Sequence, residues 1–92
     1  MWHFYILECQ KGSLYTGITK NLKRRFQEHV SGNGANFSRL GQPKRIAYFE
    51  AIETEILARQ REAQVKRWSR AKKQALIEGK FQRLRELSIS RD

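Results

Sequence analysis

The sequence predicts an α+β fold: a small three-stranded, mainly antiparallel sheet flanked by helices, in the order ββαβαα with one further short helix at the end. An aromatic and branched opening run that doubles back through a glycine turn predicts the hairpin. Four-residue spacing of apolar side chains after Asn21, and a helical pattern from Thr54 onward, predict the flanking helices.

Trp2–Cys9 reads as the first strand and Ser13–Ile18 as the second. Gln10-Lys11-Gly12 fits a three-residue loop with glycine in the left-handed position that ends a type I turn. That register sets Cys9 opposite Ser13, Leu7 opposite Tyr15 and Tyr5 opposite Gly17, so Tyr5 and Tyr15 share a face. A two-residue Lys11-Gly12 turn would put the two phenols on opposite faces. Asn21 suits an N-cap, and Leu22, Phe26 and Val30 form the expected buried stripe of the helix it starts. Arg25 and His29, also four apart, run along one edge of that stripe.

Residues 31–43 read as a polar, glycine-bearing connector ending in Pro43, without a phosphate-loop pattern. Arg45–Ala51 is the third strand, and its continuous apolar run suggests a central position covered on both faces. Thr54 caps the next helix, where Leu57, Ala58, Val65 and Trp68 mark a buried arc and Glu62 falls at its edge. Arg61 falls inside the arc and must snorkel or find a buried anion. Ser69 caps Arg70–Glu78, Gly79 stops it, and Phe81–Leu87 forms the last short helix.

The chain has 92 residues and a net charge of +10, from 19 Lys and Arg against 9 Asp and Glu. Such a field favours a polyanionic partner through counterion release. Ribosomal proteins and proteins of membrane surfaces carry similar charge, so the charge names a partner class and no chemistry. Cys9 is the only cysteine, which excludes an internal disulfide and any zinc site built on several thiolates. No apolar run reaches membrane-spanning length, and the opening residues lack the features of a signal peptide. A cytoplasmic location with no membrane partner is the expectation.

Tyr5, Tyr15-Thr16-Gly17, Arg25, His29 and Glu62 resemble, in order and spacing, the signature of the GIY-YIG nuclease domain. The resemblance spans essentially the whole chain and is strongest to small single-domain bacterial members. It implies one nuclease domain over residues 1–80, followed by a short helix and tail over 81–92. Ile18 departs from relatives that carry lysine or tyrosine there, and a tyrosine often stands in the place of His29. Taken singly, each position has an ordinary reading, since tyrosine is favoured in strands and glutamate is commonplace in helices. Only the resemblance selects Glu62.

The resemblance implies metal-dependent endonuclease activity on DNA, leaving 5′-phosphate and 3′-hydroxyl ends, with a place in DNA repair or recombination. Glu62 would hold one Mg²⁺ or Mn²⁺, Arg25 would contact the phosphate, and Tyr5 would position water or the tyrosine pair. Tyr15 or His29 would be the general base. A free phenol titrates near ~10, so a phenolic base calls for cations close by. Lys20, Lys23, Arg24, Lys66, Lys72 and Lys73 would track a nucleic-acid backbone without reading its sequence. DNA, duplex or branched, is the expected partner, with RNA as a second substrate and a protein partner supplying targeting. The alternative is a nucleic-acid-binding module of the same fold with little catalysis. A third reading is a basic scaffold docked on ribosomal RNA.

Overall fold

Alternation along the opening run decides the architecture. In the computed structural model, which describes residues 1–31 and 41–89, this run is strand β1 (Trp2–Cys9), with Phe4, Tyr5, Ile6 and Leu7 all buried. Residues buried on both faces of the pleat must lie in a middle strand. Strand β2 (Leu14–Thr19) and strand β3 (Pro43–Ile52) accordingly pair with β1 on either side, both antiparallel, in the order β2-β1-β3. The hairpin has the expected register, with Leu7 opposite Tyr15 and Tyr5 opposite Gly17. Gly12, at φ 85°, closes the turn by donating its N–H to the Cys9 carbonyl at 2.9 Å.

The expectation of a central third strand is corrected: β3 is an edge strand, with Phe49 and Ala51 exposed. Its continuous apolar run has another cause. A register shift pairs Leu7 with Ile46 but Ile6 with Tyr48, leaving Ala47 as the inserted residue of a bulge. Ile46 and Tyr48 therefore pack on opposite faces although they are two residues apart. The unbroken apolar run marks a change of face rather than burial of both.

Helix α1 (Leu22–Val30) covers one face of the sheet, where Leu22 and Phe26 pack against Tyr5, Leu7 and Cys9. Helices α2 (Glu55–Lys66) and α3 (Arg70–Ile77) cover the other, placing Val65 and Leu76 against Phe4 and Ile6. Helix α4 (Phe81–Ile89) adds Leu84 to that second core. All three expected caps form: Asn21, Thr54 and Ser69 accept from the N–H groups of Arg24, Leu57 and Lys72 at 3.0–3.2 Å. Each such cap contributes about 1 kcal/mol. The connector expected over residues 31–43 lies for the most part outside the described residues.

Two helical stripes differ from expectation. Val30 is 47% exposed, while His29 is only 1% exposed. His29 stands seven residues after Leu22, two full turns, so the stripe facing the sheet is Leu22, Phe26, His29. Leu57 is likewise exposed, and α2 buries Ala58 and Val65 with half-buried Arg61 and Glu62 between them. Arg61 finds its anion in Glu50, at 2.8 Å, and lies over the Trp68 ring at 5.5 Å. The Tyr48 hydroxyl donates to the same carboxylate, and burial followed by Glu50 pushes its pKa up to about 12. This network ties the edge strand to α2.

No described helix is long and apolar enough to cross a membrane. Val65→Ala is expected to cost about 2 kcal/mol through lost burial and the cavity left behind. Leu57→Ala should stay within about 0.5 kcal/mol. Urea midpoints of the two variants check the assignment.

Candidate active site

The α1 face of the sheet gathers the polar aromatics. Tyr5 is 2% exposed, and its hydroxyl lies 3.2 Å from His29 Nε2. Half-buried Tyr15 meets the same imidazole edge-on, with ring centroids 5.5 Å apart. The diagonal placement of the two phenols follows from the hairpin register, and the imidazole is delivered by the last turn of α1.

Gly17 makes the arrangement sterically available. A Cβ added there would stand 2.5 Å from the Tyr5 hydroxyl oxygen and 2.6 Å from Cζ, closer than a Cβ comes to any atom not bonded to it. The ring of Tyr5 lies over its cross-strand partner because that partner has no side chain.

Arg25 reaches the same place from α1. Its guanidinium donates to Glu28 at 3.0 Å and also faces the Tyr5 hydroxyl. Burial raises the Tyr5 pKa above the usual phenol range, with Arg25 opposing and the charges of Tyr15 and Glu62 adding to the rise. Tyr5 is thus a protonated phenol at neutral pH. Burial first, and then the charge of Arg25, lower the pKa of His29, with Glu28 opposing. The imidazole is therefore neutral at neutral pH, and its Nε2 meets the Tyr5 hydroxyl as donor or acceptor according to the tautomer.

Glu62 comes from α2, on the other layer of the fold, yet lies close enough for its charge to act on Tyr5. It is half-buried and makes no ion pair or hydrogen bond among the described residues. Those residues contain no cluster of three or more His, Cys, Asp or Glu that could form a protein-built metal cage. A single unpaired carboxylate does fit a hard cation that keeps most of its waters and shares phosphate oxygens with a substrate. Mg²⁺ or Mn²⁺ is compatible with this donor set, and zinc bound by several imidazoles or thiolates is not.

The cations predicted to track a backbone separate into groups. Lys23 and Arg24 are exposed on α1, and Arg24 faces Glu28 at 3.8 Å. Lys20 sits over the Trp2 ring at 5.6 Å. Lys66 stands one turn beyond Glu62 on α2, and with Arg70 it lowers the pKa of Lys73, whose burial is the larger cause. Arg70 in turn approaches the hairpin turn at Gly12. Lys72 lies elsewhere, 4.7 Å over Trp68, at a cleft of about 900 Å³ lined also by Gln64, Arg67 and Ser69. Volume does not locate the site, because that cleft contains none of the five predicted catalytic residues.

Sequence reasoning missed Glu28, Arg70 and the steric role of Gly17. The three-residue step from Arg25 to Glu28 was a readable signal for the first. Ile18 packs against the Phe4–Val65 core, on the face away from Tyr5, so its departure from the signature leaves the tyrosine side untouched.

Comparison with known proteins places the chain in a family. The family model described as the GIY-YIG catalytic domain matches residues 1–75. A UPF0213 protein of Bacillus pumilus is 42% identical over 83% of this chain and 78% of its own length. One from Halobacterium salinarum is 40% identical over 84% of this chain and all of its own. The solution NMR structure of a UPF0213 protein from Bacillus halodurans superposes with a TM-score of 0.54 at 40% identity, covering 85% of this chain and 84% of that one. A second NMR structure, of an E. faecalis protein, superposes at 0.58 with 37% identity over 84% and 82% of the two chains. With its sheet order, its paired tyrosines and its match over most of its length, the chain belongs to the GIY-YIG catalytic-domain family, among the small UPF0213 proteins.

Proposed function

We propose that the chain is a divalent-metal-dependent endonuclease that hydrolyses DNA phosphodiesters, leaving 5′-phosphate and 3′-hydroxyl ends. The observation that carries this reading is the convergence of Tyr5, Tyr15, His29 and Arg25 on one face, with the carboxylate of Glu62, unpaired among the described residues, within electrostatic reach. Nucleic-acid binding alone needs neither the paired phenols nor the lone carboxylate.

Each side chain has a distinct task. Arg25 remains cationic beside Glu28 and offers fork-like contacts to a phosphate as charge develops on it. Tyr5 is too buried and too weak an acid to be the base, so it orients His29 through their contact. Tyr15 is the more accessible phenol and relays the proton, its hydroxyl taking one from the attacking water as it gives its own to the neutral imidazole of His29. Glu62 would hold the Mg²⁺ or Mn²⁺, which supplies Lewis acidity at phosphorus and stabilises the departing 3′ oxygen. Lys20, Lys23, Arg24, Lys66 and Lys73, joined by Arg70, would bind flanking phosphates, and Lys72 would serve a more distant contact.

Nicking of supercoiled plasmid with Mg²⁺ or Mn²⁺ tests the proposal. Glu62→Ala is expected to abolish it, and Tyr15→Phe to slow it by about 10²–10⁴-fold. Salt-sensitive binding without nicking by the wild type would assign the chain to the binding-module class instead.

Gly17→Ala is expected to displace Tyr5 from His29 and to lose most nicking, with about 1–3 kcal/mol of overpacking cost in urea denaturation. Unchanged activity would show that the Tyr5–His29 contact is dispensable.

The lowered pKa of His29 has a defined pH consequence. Below the unfolded value of about 6.5 the unfolded chain binds the extra proton, so stability is full above that pH and falls as pH drops toward the folded pKa. Activity should level off at neutral pH and decline only as pH falls through the lowered folded pKa of His29. A His29→Tyr variant should flatten the acid slope of its own stability profile relative to wild type, measured by denaturation between pH 5 and 8, a range chosen on the order of one to two units around the free imidazole value.

A further inference from the structure

The α1 face of the sheet is roofed only in part. Leu22 and Phe26 cover Tyr5, Leu7 and Cys9, and neither His3 nor Phe49 belongs to that cluster. Phe49 is 57% exposed on the edge strand. Ala51, two residues further along β3, is exposed as well and adds only a methyl group beside it. The one ring contact of Phe49 among the described residues is His3, edge-on at 6.2 Å and 63°. The imidazole thus backs the phenyl ring and leaves much of it open to solvent.

An exposed phenylalanine needs no explanation in itself. Its place gives this one meaning. Phe49 is the direct cross-strand partner of Tyr5, so the two side chains rise from the same face about 4.5–5.5 Å apart at Cβ. A nucleotide whose phosphate lies at Arg25 and Tyr15 would carry its base within reach of that ring. A base inside a duplex has both faces stacked and offers nothing to an aromatic platform, whereas an unpaired base does.

We infer that Phe49, backed by His3, is a stacking platform for an unpaired nucleobase beside the bond the Tyr15–His29–Arg25 site would cut. The substrate class is then nucleic acid with single-stranded character at the cleavage point, such as a flap, gap or loop. The inference deepens the nuclease reading above and rests on it.

The test compares wild type, Phe49→Ala and Phe49→Trp on a duplex and on the same duplex carrying one unpaired 2-aminopurine in a gap. Binding is followed by anisotropy and probe fluorescence in EDTA, so that turnover does not intervene. Wild type and Phe49→Trp should quench the probe and favour the gapped form. Phe49→Ala should lose the quenching and bind the gapped form about tenfold more weakly, with duplex affinity unchanged.

Equal binding by wild type and Phe49→Ala, or equal losses on both substrates, overturns the platform. So does sedimentation showing that Phe49→Ala dissociates a dimer while leaving binding untouched, since a second copy would then cover the ring. Mg²⁺-dependent cutting of the same oligonucleotides separates the two ideas. Cutting that needs Glu62 but is indifferent to Phe49 removes the platform and keeps the nuclease. Quenching that needs Phe49, with no cutting by the wild type, supports the base site and overturns the nuclease reading.

Discussion

Strand β1 lies between two partners and under two helical layers, and almost everything else follows from that placement. Its odd-numbered side chains, Tyr5, Leu7 and Cys9, meet α1, while Phe4 and Ile6 meet α2 and α3. A one-residue slip would send Tyr5 into the aliphatic core and Phe4 into the candidate site. The register is held at one end by the Gly12 turn and at the other edge by the bulge that returns β3 to the correct face. Two thin cores, each resting on a few large side chains, stabilise a chain with little surface to bury.

Burial is costly at the candidate site. A phenol and an imidazole removed from water are costly unless each finds a partner, and here they find one another. The close approach requires a strand position without a side chain at Gly17 and a helix rotated to send His29 inward. Burial also separates the roles of the two tyrosines. Tyr5 is held protonated and inside, whereas Tyr15 keeps contact with solvent while touching the same imidazole.

The strong positive charge is unevenly compensated. Glu8, Glu28, Glu50 and Glu55 are taken up by arginines, so much of the acidic complement serves structure. Lys66, Arg70 and Lys73 lie near one another and form no ion pair among the described residues, although Glu62 stands one turn before Lys66 on α2. Like charges gathered without a counter-charge raise the free energy of the fold, and a polyanion relieves that cost on binding.

The secondary structure, the three caps, the hairpin register and the pairing of Tyr5 with Tyr15 on one face were legible in the residues, because each depends on neighbours within a few positions. Family membership was legible too, through the spacing of Tyr5, Tyr15, Arg25, His29 and Glu62. The sheet order was not, since a bulge and a buried middle strand both produce continuous apolar runs. Nor was the rotation of α1, because Val30 and His29 are both compatible with a stripe begun at Leu22 and Phe26. By itself the sequence determined local conformation, overall charge and the list of chemically capable side chains. Only tertiary structure decided which of them are dry, which share an imidazole and which lie open beside them. Burial and electrostatic environment are properties of packed surfaces, and those surfaces exist only once distant segments meet.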